Sequence, residues 1–89
     1  MNEQYEMTYH LLDNTLGNSR GGSVRDTEAQ AEWAALDHYA KTEGKFAYRI
    51  TRCVLVEGEG WHRVGATHIL HGRKVSEGEW VNALRGLKS

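Results

Sequence analysis

Three histidines, His62, His68 and His71, crowd the second half of the chain. His68-x-x-His71 would suit a metal only if a third ligand converged on the same point, because zinc takes three or four donors. Within a strand, an odd separation sends the two side chains to opposite faces. No carboxylate lies in this segment, and Cys53 is the single cysteine. A zinc cage, any other metal site and an internal disulfide are therefore not expected. The histidines read as structural or surface groups. Cys53 has no His or Asp at a telling spacing, so it reads as a small buried hydrophobe. Ser19, Ser23 and Ser76 stand where turns and caps favour serine. Asn18-Ser19-Arg20-Gly21-Gly22 lacks the Gly-Lys-Ser/Thr of a phosphate loop. Glu57 and Glu59 bracket a turn and do not form an acid–base pair. The expectation is a protein that is not an enzyme and carries no cofactor.

One stretch bears on that expectation. Gly60-Trp61, followed by Gly65-Ala66-Thr67-His68, is similar to the small toxin ribonucleases of the HicA family. Those carry a Gly-aromatic strand start and a Gly-Ser-His on the following strand. The resemblance implies a catalytic role for His68. It spans residues 60–68 only. It departs from the family by an extra residue between Gly65 and His68, and by a strand over 46–57 where the family has a helix.

The basic and aromatic residues offer binding chemistry instead. Arg49, Thr51, Arg63, Arg73 and Lys74 could line a sheet face for nucleic acid, with Tyr48 or Trp61 to stack bases. The net charge of −1 and the absence of any basic run weigh against a dedicated nucleic-acid binder. Three Trp and four Tyr in so short a chain point to protein contact. Trp61 directly follows a glycine turn and precedes His62 and Arg63. It is either a contact residue or a cross-strand partner of Leu55 or Val56. The expected contact surface comprises Trp61, Arg63, Arg73 and Lys74, with Arg49 and Arg52 from the neighbouring strand. The leading reading is a small protein-binding module. By compositional analogy, its sharpest form is a phage or mobile-element inhibitor of a host factor. A nucleic-acid-binding domain is the alternative, and a toxin-like ribonuclease the third. A homodimer through a strand edge is also expected, since no proline guards any edge.

These residues need elements to place them. Tyr5, Met7, Tyr9 and Leu11 alternate with polar residues, predicting a strand over 4–12. Residues 13–22 are turn-forming, and a second strand around 20–25 would close a hairpin. Thr27 and Gln30 have capping-box spacing for a helix over 27–43 that stops at Gly44. Its face is read as Ala29, Trp33, Leu36 and Ala40. Residues 46–57 form the strongest strand, 58–60 a glycine turn and 61–70 the returning strand, with a bulge expected at Gly65. Ser76 and Glu79 cap a final helix over 77–87 anchored by Trp80. The order is β-(β)-α-β-β-α: an α+β fold with three or four antiparallel strands and two helices on one face. Trp33, Leu36, Tyr48, Ile50, Val54, Trp80 and Leu84 are the expected core.

Eighty-nine residues make one domain, and a domain of this size buries a modest share of its surface. No apolar run is long enough to span a membrane. No basic stretch leads an apolar core at the N-terminus, so no secretory leader and a cytoplasmic location are expected. Residues 1–43 hold eight acidic and three basic residues, whereas 44–89 hold four and eight. The expectation is that these halves interleave and cancel in the fold.

Overall fold

A computed structural model describes residues 2–12 and 19–85. The chain runs β1 (Glu3–Leu11), β2 (Ser19–Arg25), α1 (Glu28–Lys41), β3 (Phe46–Val56), β4 (Gly60–Leu70), β5 (Arg73–Val75) and α2 (Glu77–Leu84). The strands form one antiparallel sheet in the order β2-β1-β3-β4-β5. Of the turn expected over 13–22, residues 19–22 belong to β2 instead, while 13–18 and the end of the second helix at 86–87 lie outside the described residues.

Local chemistry sets the boundaries. Thr27 caps α1 by accepting from the Gln30 amide, and Ser76 caps α2 by accepting from Glu79. Gly44, at φ 74°, ends the first helical segment. The hairpin strand expected at 20–25 is present as β2. Gly22 sits so close to β1 that a Cβ there would collide with the Met7 carbonyl. The bulge expected at Gly65 is present too: the β3–β4 register slips between Arg52 and Cys53, leaving Val64 as the extra residue.

Three expectations need correction. The sheet has five strands, because His71 and Gly72, both at positive φ, turn the chain back into the three-residue β5. A strand of three residues is too short to show alternation.

Second, the helices lie on opposite faces of the sheet. Met7, Tyr48, Ile50 and Ile69 point to α1, and Ala47 and Leu70 point to Trp80 of α2. Both parities of β3 carry buried residues, as befits a strand covered on both sides.

Third, α1 turns the other way. Its sheet-facing residues are Ala31, Ala34 and Ala35, while Trp33 and Leu36 are 67% and 45% exposed. The sheet already supplies the bulk through Tyr9, Phe46, Tyr48 and Ile50, so only small residues fit between helix and sheet. Of the other expected core residues, Tyr48, Ile50 and Trp80 are buried, and Val54 and Leu84 are half-buried.

Charge interleaves as expected. Glu3 pairs with Arg52, Glu6 with Arg63 at 3.7 Å, and Glu32 with Lys74 at 3.2 Å. Each pair joins an acid from the first half to a base from the second.

Candidate functional site

The six expected contact residues divide among four places. Trp61 and Arg63 share one neighbourhood. In register, Trp61 pairs with Leu55 and Arg63 with Cys53, all on the α2 face of the sheet but beyond the helix itself. Leu55 and Trp61 are 44% and 45% exposed. Trp61 is thus both things the sequence allowed, a cross-strand partner of Leu55 and a surface aromatic. Arg63 is largely exposed, and its guanidinium reaches Glu6 on β1. With Val64 exposed at the bulge, the far half of the β3–β4 hairpin presents an apolar strip edged by one charge pair.

The other four are placed elsewhere. Arg52 points to the opposite face, where its Nε donates to Glu3 Oε1 at 2.8 Å. Lys74 lies on that face as well, bound to Glu32 of α1. Arg73 is exposed on β5, at the sheet edge. Arg49 lies inward under α2. The stacking role considered for Tyr48 is ruled out by its position, since this ring is fully buried against α1 and burial pushes its hydroxyl up to about 12.

Arg49 belongs to a group that sequence reasoning missed. Its guanidinium carbon stands 4.8 Å from the centre of the Trp80 ring, a cation–π contact. His10 and His68 meet the same ring edge-on, at 4.8 and 5.0 Å. Arg49 Nε donates to His68 Nε2 at 3.2 Å. An arginine can only donate, so His68 is neutral, with its proton on Nδ1. Thr8 Oγ1 lies 3.0 Å from His10 Nε2. Glu77 completes the rim, 4.0 Å from Arg49 and 3.9 Å from His68. The indole N–H of Trp80 donates to the Ile69 carbonyl at 3.1 Å.

The electrostatics follow. Burial lowers the pKa of His10, the charge of Arg49 lowers it further, and a proton on His68 would act in the same direction. Burial and Arg49 lower that of His68, against a smaller opposite pull from Glu77. The set resembles acid–base machinery in composition but not in access. His68 is 7% exposed and its lone pair is occupied by Arg49. A general base must present that lone pair to a substrate. Only the β3–β4 register, shifted by the bulge, sets Arg49 opposite His68. Adding His10 requires the β1–β3 register, which the sequence does not print. His71 lies on the other side of the sheet, where its Nδ1 stands 3.4 Å from the Tyr39 hydroxyl. Among the described residues, no three His, Cys, Asp or Glu side chains gather as a metal site would need. Among the described residues, no helix is long and apolar enough to cross a membrane.

No family model matches the chain, and no curated protein or solved structure is significantly similar to it.

Proposed function

We propose that this protein is a protein-binding module that acts by occupying a partner's surface through the outer half of the β3–β4 hairpin. The observation that carries this reading is the exposed Leu55–Trp61 pair, held on a rigid sheet face beside Arg63 and Glu6. A preorganised aromatic with an arginine beside it is the composition of interface hot spots. Arg73 pairs with Leu70, at the opposite end of β4 from Trp61, and stands apart from this strip. Arg49 and Arg52 leave the contact set, since one supports Trp80 and the other faces Glu3. The narrower version, an inhibitor of a host factor, rests on composition and gains no residue from the fold.

The test is pull-down from a lysate followed by titration of the captured partner. Trp61→Ala should weaken binding at least ~10-fold, and Arg63→Glu should slow association. Both variants should melt within about 2 °C of the parent, because exposed side chains contribute little to folding. Undiminished capture by both variants would remove this surface from the proposal. A heparin column with a salt gradient checks the nucleic-acid alternative, in which Arg63→Glu would sharply lower the eluting salt concentration.

A further inference from the structure

We infer that α1 is a homodimerisation helix that pairs antiparallel with α1 of a second copy. The surface is separate from the hairpin strip, so each proposal can fail without the other.

The stripe Ala29, Trp33, Leu36 and Ala40 lies half a turn from the sheet-facing alanines, and all four residues are exposed. Its spacing of four, three and four is that of a helix–helix seam. Nothing charged falls on it. The rest of the domain does not use it, since Ala31, Ala34 and Ala35 already seat the helix.

The seam is symmetric in kind about its midpoint, with a small residue at each end and a large one on either side of the centre. Antiparallel pairing around a two-fold axis therefore sets Trp33 on the partner's Leu36 and Ala29 on the partner's Ala40. Large meets large at the centre, and small residues at both ends let the backbones approach.

Charge selects the same orientation. On the flank toward β2 lie Asp26, Gln30, Asp37 and Lys41, beside grooves of about 410 and 280 Å³ that Trp33 borders. Antiparallel pairing brings Asp26 near the partner's Lys41, which within its own chain pairs with Asp37 at 2.9 Å, and so extends that ion pair across the seam. A parallel pair would instead turn this flank onto the partner's other flank and set Asp26 and Asp37 against the partner's Glu28 and Glu32. Antiparallel helix dipoles add to the preference. On the other flank Glu32 is already neutralised by Lys74.

The size of the contact sets its strength. An enclosed Trp covers ~150–250 Å², so two Trp, two Leu and their flanks give roughly 700–1,000 Å² in total. Stable interfaces bury about 1,200–2,000 Å². The dimer should accordingly be weak and reversible.

Sedimentation velocity on the full chain, from micromolar to millimolar, tests the proposal. The expected result is a concentration-dependent shift from monomer to dimer. Trp33→Glu and Leu36→Glu should each raise the dissociation constant at least ~10-fold with an unchanged circular dichroism spectrum. Orientation is read by oxidative cross-linking. A mixture of Ala29→Cys and Ala40→Cys chains should form the mixed disulfide, whereas Ala29→Cys alone should not cross-link. A monomer throughout the range overturns the proposal, as does a dimer indifferent to both glutamate variants. Self-cross-linking of Ala29→Cys without the mixed product overturns the antiparallel arrangement.

Discussion

The Nε of Arg49 donates to Nε2 of His68, so a proton arriving on that nitrogen removes a hydrogen bond and sets two cations side by side. His10 suffers the same neighbour. Both imidazoles have folded pKa values lowered from 6.5. As pH falls, the unfolded chain takes up protons before the folded one does. The stabilisation is therefore complete above pH 6.5 and is lost as pH drops through the folded values. The melting temperature should be flat around pH 7–8 and fall below about 6.5. Replacing both residues, His10→Gln with His68→Gln, should flatten most of that slope. A melting temperature that rises on acidification through this window would contradict the hydrogen-bond assignment. This cluster was not legible in the sequence. Arg49 meets His68 only through the bulged β3–β4 register, and His10, some forty positions from Arg49, joins only through the β1–β3 register.

The two helices show why element existence was easier to read than element orientation. Thr27 and Ser76 announced both starts, and Gly44 one stop, because capping is a local matter. The choice of inward face is not local. Residues 28–41 offer two apolar stripes, one of alanines and one containing Trp33 and Leu36. The larger stripe is the natural choice until the bulk of Tyr9, Phe46, Tyr48 and Ile50 beneath is known. The one-face placement of the helices failed for a related reason. Ala47, Thr51 and Cys53 look like a weak second face, yet all three are buried. Two tryptophans turn this into a measurement. Trp80 is 1% exposed, so Trp80→Ala should cost ~3–5 kcal/mol. Trp33→Ala, measured at dilute concentration, should stay within about 0.5 kcal/mol of the parent. Equal losses in chemical denaturation would mean that α1 is seated by its other stripe.

At the scale of the whole molecule, mixing of the acidic and basic halves was an expectation whose particular pairs only the fold supplies. Three ion pairs cross between them, and they scatter the basic residues over both faces. That scattering dissolves the six-residue contact set and leaves Trp61 and Arg63 as its compact remnant. The same sheet separates two apolar clusters, a larger one under α1 and a smaller one under α2. Two clusters on opposite sides of one layer need not come apart together. Native-state hydrogen exchange should show the α2 amides, with those of β5, opening at lower free energy than the amides of α1 and β3. Uniform protection across the two helices would mean a single cooperative unit. If α2 opens alone, limited proteolysis will find residues 77–84 first. The clipped product would keep Met7, Tyr48, Ile50 and Ile69 packed under α1 while laying bare Ala47 and Leu70. A fresh apolar face of that kind makes the fragment, rather than the intact chain, the species that aggregates on storage.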